Sequence, residues 1–136
     1  MKLLGIDYGG ERTGIAIGNL EEGIAVDYST LATHPLDKLF DDIHDIIANE
    51  FIDQIVVGLP LGNSNKDTVQ TRSVRTFAEK LAYGIHIPVV FEDERMSTSV
   101  FHQLPRHERE AKGIDALAAM HILQTYIDRV NSEREK

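Results

Sequence analysis

The run Ile55-Val56-Val57-Gly58-Leu59 is apolar without a break. A strand that alternates apolar with polar residues can leave one face in water, whereas a continuous run needs cover on both faces. On either side of it the period changes. Leu36, Leu39, Phe40, Ile43, Ile47 and Phe51 recur at helical spacing, while Asp37, Asp41, Asp42, His44 and Asp45 fall mainly on the other arc. Within residues 67–83, Val69, Val74, Phe77, Ala78 and Leu81 form a second inward stripe. A doubly buried strand between two amphipathic helices specifies an α/β sheet with helices packed against it.

The remaining segments fill in that frame. Residues 2–8, 13–18 and 24–30 read as strands, and Asn19-Leu20-Glu21-Glu22-Gly23 is a short polar connection between the last two. The first three strands are therefore expected as an antiparallel meander. Helix 36–51 takes Pro35 in its first turn, where the missing N–H is not needed. Residues 87–91 read as a fifth strand. Ser97 or Thr98 is placed to cap a short helix ending near Pro105, and residues 114–130 are a last helix. The expectation is one domain over residues 1–136, with a mixed five-stranded sheet, antiparallel over its first three strands and parallel later, flanked by helices. Helical crossovers align the ends of strands one, four and five at one edge, where open sheets hold their ligands.

Composition removes several classes of function. The chain has 136 residues, enough for a proper core, and no cysteine, which excludes disulfides and thiolate-held zinc or iron–sulfur centres. No apolar run is long enough to span a membrane. Asp7 comes too early for a signal-peptide core, so a cytoplasmic, membrane-free protein is expected. The net charge of −8 argues against nonspecific polyanion binding. It does not exclude chemistry on phosphates, because acids gathered round a site are neutralised by bound cations. The six histidines show no convincing metal-site spacing and read as surface or structural residues.

Three acidic features stand out. Asp7 ends an apolar strand and runs into Gly9-Gly10 within Gly5-Ile6-Asp7-Tyr8-Gly9-Gly10-Glu11-Arg12-Thr13-Gly14. A carboxylate buried there needs a cation or hydrogen-bond donors; equally, it reads as a strand-ending aspartate that starts a turn. Glu92-Asp93-Glu94 follow the fifth strand and need solvent, a cation or a raised pKa, with Arg95 offsetting their charge. Strand alternation puts Glu92 and Glu94 on one face and Asp93 on the other; a solvated loop is the plainer reading. Asp115 projects into the apolar sector of the last helix, either as a ligand or as an N-cap after Gly113-Ile114. Carboxylates from a first strand, a fifth strand and a final helix can converge at one sheet edge. Oxygen ligands without cysteine suit Mg²⁺ or Mn²⁺, the ions that serve phosphodiester hydrolysis.

These blocks together resemble the YqgF/RuvX family of Holliday junction resolvase-like and pre-16S rRNA nuclease proteins. The match includes Asp7-Tyr8-Gly9 with Arg12 and Gly14, then Val57-Gly58-Leu59-Pro60-Leu61 and Val74-Arg75-Thr76-Phe77-Ala78. It continues through Asp93-Glu94-Arg95-Met96-Ser97-Thr98 and Asp115-Ala116-Leu117-Ala118-Ala119, in the family's order over nearly the whole chain. The resemblance implies a ribonuclease H-like fold and metal-dependent cleavage of structured nucleic acid. It implies a site formed by Asp7, an acid of the Asp93-Glu94 pair (Glu94 favoured) and Asp115, with Asp7, Glu94 and Asp115 as metal ligands. Arg12 and Arg95 would orient phosphate or lock the acids, and Lys66, Arg72 and Arg75 would face the nucleic-acid backbone. Residues 103–113 depart from the family, being compact and diluting Arg106, Arg109 and Lys112 with acids; this bears on substrate affinity.

The resemblance makes the leading expectation an endonuclease trimming the 5′ end of precursor 16S rRNA, with ribosomal precursor particles as partners. A resolvase of branched DNA uses the same chemistry and should be a homodimer, whereas an RNA nuclease can work as a monomer. A non-catalytic nucleic-acid or ribosome-assembly module is a third reading. A nucleotide phosphotransferase is a fourth, since Asp7 before glycines is similar to the first phosphate loop of sugar kinases.

Overall fold

A computed structural model describes residues 1–62, 66–94 and 113–135 of the chain. The element order is β1 (Lys2–Tyr8), β2 (Arg12–Asn19), β3 (Ile24–Ala32), α1 (Leu36–Glu50), β4 (Gln54–Leu59), α2 (Val69–Tyr83), β5 (Val89–Asp93) and α3 (Ile114–Arg134). The strands form a five-stranded sheet in the order β3-β2-β1-β4-β5. β1 pairs antiparallel with β2 and β2 with β3, whereas β1–β4 and β4–β5 are parallel. The meander and the later parallel strands thus follow the sequence expectation, and β1, β4 and β5 end at the same edge.

β1 and β4 are central because neither face of them is polar. Leu4, Ile6, Ile55 and Val57 join Leu39, Ile43, Phe77 and Leu81 in a core beneath α1 and α2. Their neighbours Leu3 and Val56 turn the other way and pack with Ala119, Ile122, Leu123 and Ile127 of α3. Alternation along each strand therefore feeds two cores, one per face.

Several local expectations are corrected. On α1 the fully buried residues are Leu39, Ile43 and Ile46, with Leu36, Phe40 and Ile47 packed against that core as expected, while Phe51 is 82% exposed. Phe51 takes a left-handed conformation (φ 55°) that ends the helix and swings its ring off the buried stripe. Pro35 stands one place earlier than the first turn, as an extended cap residue. On α2, Val69 is 76% exposed instead of inward. The helix begins there, capped by Thr68: the Thr71 N–H donates to Thr68 Oγ1 (3.2 Å) and the Thr68 N–H to Thr71 Oγ1 (3.0 Å). The Thr71 hydroxyl also donates to the Pro60 carbonyl, which ties α2 to the end of β4. β5 starts two residues later than expected, after Pro88, whose carbonyl accepts the Ile55 N–H at 2.9 Å. α3 continues to Arg134. The short helix expected before Pro105 lies outside the described residues.

Candidate active site

Register and two close approaches place the acids. Asp7 is the last residue but one of β1 and is 8% exposed. Its side chain follows Leu3 and Gly5 onto the α3 face, because odd-numbered residues of β1 share that face. Directly opposite Asp7 on β2 is Gly14. A Cβ on Gly14 would come within 1.8 Å of the Asp115 carbonyl oxygen, so the first turn of α3 rests on the bare glycine. On the other flank, Ile6 pairs with Val57, which brings Gly58 beside Asp7. A Cβ on Gly58 would meet Cγ and Cδ of Glu94 at 2.9 Å and Cδ1 of Ile122 at 2.6 Å. The Glu94 side chain therefore folds back from beyond β5, over β4, toward the same face.

Asp7 thus lies between two glycine seats, one under Asp115 and one under Glu94. With strands about 4.8 Å apart, the group spans on the order of 10 Å. Glu94 is 6% exposed, and Oδ2 of Asp115 is buried with no hydrogen-bond partner among the described residues. The cap of α3 is Gly113 (φ 69°), not Asp115, and makes no side-chain bond. Asp115 sits within the first turn, where the helix dipole favours its negative charge. Asp93 pairs with Leu59 and shares its face, the α1/α2 side, away from Asp7. Among the described residues no three acids or histidines surround one point in ready metal-binding geometry. The donor set nevertheless suits a hard divalent cation: all oxygen, with Asp7 and Glu94 buried and one buried carboxylate oxygen of the half-buried Asp115 left unsatisfied.

The turn after Asp7 is braced from β3. The Thr33 hydroxyl donates to the Gly9 carbonyl (2.8 Å), and the Thr13 hydroxyl, 2.7 Å away, donates to it in turn. The Thr33 N–H donates to the Glu11 carbonyl at 2.9 Å. Arg12 is exposed at the start of β2. Lys66 and Arg72 are exposed as well, Arg72 on α2 and so across the sheet from the acids. Arg75 is engaged elsewhere, with Nε 2.9 Å from Asp67 and its guanidinium over the Phe91 ring. Arg95 and most of the 103–113 stretch lie outside the described residues.

The sequence did not reveal the role of Glu92. It is 7% exposed on the α3 face and meets Arg129, with Nη2 to Oε2 at 2.7 Å. The Glu92 carboxylate pushes the Arg129 guanidinium above its ordinary range, and Tyr126 lies under that guanidinium at 5.4 Å. This pair links β5, just before Glu94, to the body of α3. Only the alternation of Glu92 with Asp93 hinted at burial; its partner lies 37 positions away.

The model of the RuvX family, described as Holliday junction resolvase, matches residues 1–129. The chain belongs to the RuvX family. Among curated relatives, a Maridesulfovibrio salexigens protein named "Putative pre-16S rRNA nuclease" is 34% identical over 134 residues, covering 95% of this chain and 99% of its own. Among solved structures, Thermus thermophilus RuvC superposes with a TM-score of 0.58 at 13% identity, over 96% of this chain and 97% of its own. RuvC in complex with a Holliday junction substrate gives 0.59 at 12% identity, over 93% of each chain. At these identities the structural likeness establishes the RuvC-like fold. No described helix is long and apolar enough to cross a membrane.

Proposed function

We propose that this RuvX member is a divalent-metal-dependent endonuclease of structured nucleic acid that processes the 5′ end of precursor 16S rRNA in the cytoplasm. The observation that carries the reading is the gathering of Asp7, Glu94 and Asp115 on one face of one sheet edge, with a carboxylate oxygen of Asp115 buried and unsatisfied. A buried carboxylate oxygen without a donor is costly, and a cation is the partner that removes the cost. Mg²⁺ or Mn²⁺ bound there would supply charge neutralisation and an acidified water for attack on phosphorus.

The chain's own residues do the rest. Asp7, at the sheet centre, is the fixed ligand, and Glu94 and Asp115 close on it from either flank. Asp93 takes no part. The Thr13–Thr33–Gly9 relay fixes the Gly9-Gly10 turn beside Asp7, where the missing Cβ of Gly9 leaves room for the Arg12 carbonyl. Arg12 and Arg95 offer guanidinium groups to the phosphate, with Lys66 and Arg72 further along the strand.

The test is cleavage of a pre-16S 5′-leader RNA and of a four-way DNA junction by purified protein, with and without Mn²⁺, beside Asp7→Asn. The expected result is Mn²⁺-dependent cutting of the RNA that Asp7→Asn abolishes while the fold is retained. Preferential cutting of the junction by a dimer would make the protein a resolvase, as the family description has it. Undiminished cutting by Asp7→Asn would overturn the catalytic assignment.

A further inference from the structure

Asp7 and Tyr8 are consecutive on β1 and face opposite sides of the sheet. On the side away from the acids, Tyr8 lines two adjoining hollows of about 340 and 580 Å³ that share Tyr8, Val69 and Ser73. One reaches the Gly9-Gly10 turn and the other runs past Arg72, Thr76 and Lys80 of α2. These two cations and two hydroxyl residues are exposed along one stripe of the helix. Arg72 and Lys80 form no ion pair among the described residues, unlike Arg75, which Asp67 holds at 2.9 Å. The groove also keeps apolar surface in water. Val69 is 76% exposed at its mouth. The Tyr8 ring is one end of a column, stacked on Phe77 (centroids 4.1 Å apart, planes 14° apart), which stacks on Phe40 at 5.7 Å.

We infer that this groove receives an unpaired strand of the nucleic-acid substrate, which crosses the Gly9-Gly10 rim on its way to the acids. Phosphates lie on Arg72 and Lys80, about 12 Å apart along the helix, and a base lies against Tyr8 and Val69. A duplex keeps its base faces stacked inside and has none to offer such a lining, whereas an unpaired strand does. The inference rests on the nuclease reading above and adds the part of the substrate that it leaves open: a single-stranded tail beside the bond to be cut.

The experiment measures binding in EDTA, where cutting is off, to a short oligouridylate and to a blunt RNA duplex of equal length. Wild type is compared with the surface variant Arg72→Ala/Lys80→Ala and with Arg75→Ala across a salt series. Losing two phosphate contacts on a single strand should lower the slope of log K against log salt by about 1.4. Affinity for the oligouridylate should fall about tenfold, with duplex binding and the Arg75→Ala protein unchanged. An unchanged slope, an equal loss on the duplex, or a change in sedimentation of the double variant would overturn the groove; the last would make this face a contact between copies of the chain. Failure of the nuclease reading shows separately, as Mn²⁺-dependent cutting that survives Asp7→Asn.

Discussion

Replacing Gly14 by alanine tests whether the seat under α3 sets the geometry of the site. The new Cβ would stand 1.8 Å from the Asp115 carbonyl oxygen, 2.3 Å from its carbon and 3.0 Å from the Ala116 nitrogen. All three atoms are helix backbone, so no rotamer change relieves the overlap. To reach the 3.0–3.4 Å at which such contacts first become tolerable, the first turn of α3 must retreat by roughly 1.2–1.6 Å. It takes Asp115 with it. Overpacking of this kind costs about 1–3 kcal/mol, which for a chain of this size lowers Tm by roughly 3–10 °C and leaves it folded at 25 °C. A displacement above 1 Å at a reacting centre costs about a hundredfold in rate. The assay is single-turnover cleavage of the leader RNA in Mn²⁺ at 25 °C, with circular dichroism to confirm folding. Gly84→Ala serves as the control, since its Cβ meets nothing nearer than 3.6 Å. A folded Gly14→Ala protein that cuts at the wild-type rate would refute the placement of Asp115 in the site.

The remaining predictions concern single side chains. Asp115→Ala should abolish cleavage with little change in Tm, because its buried Oδ2 makes no hydrogen bond that the fold would lose; a large fall in Tm with normal turnover would return it to a structural role. Arg129→Ala leaves the Glu92 carboxylate buried without its guanidinium and should cost about 1–3 kcal/mol in urea unfolding, an effect that Glu92→Leu in the same chain should largely remove. Lys2 holds the Glu50 carboxyl below its ordinary value, so the stability from this pair is fully present above that value and is lost as pH falls through the lowered one. Glu50→Gln should therefore lower Tm slightly on the neutral side, where the pair is intact in the wild type, leave the strongly acid end nearly unchanged, and so flatten the slope between them.

Most of the framework was legible because hydrophobic pattern alone dictates it. β1 and β4 are buried on both faces, and their unbroken apolar runs say so. Alternation also separated Asp93 from Glu92 and Glu94 correctly, since it is a property of the strand and needs no partner. Legibility ended where long-range contacts decide. Phe51 continues the apolar period of α1, and the left-handed turn there takes it off the buried stripe. Gly14 and Gly58 read only as members of strands, yet each is the space into which a distant segment descends. Glu92 looked like one of three solvated acids because nothing in its neighbourhood announces Arg129.

The seat beneath α3 also bears on how the molecule comes to be. Gly5 lies under Ala119 and Leu123, and Gly14 under Asp115, so remote segments of the chain complete one another. Pairings that join such remote stretches form slowly and late. Until α3 docks, Asp7 stands with its Asp115 flank open. On the reading proposed above, readiness to cut then arrives with the docking of α3, in step with the closing of the sheet.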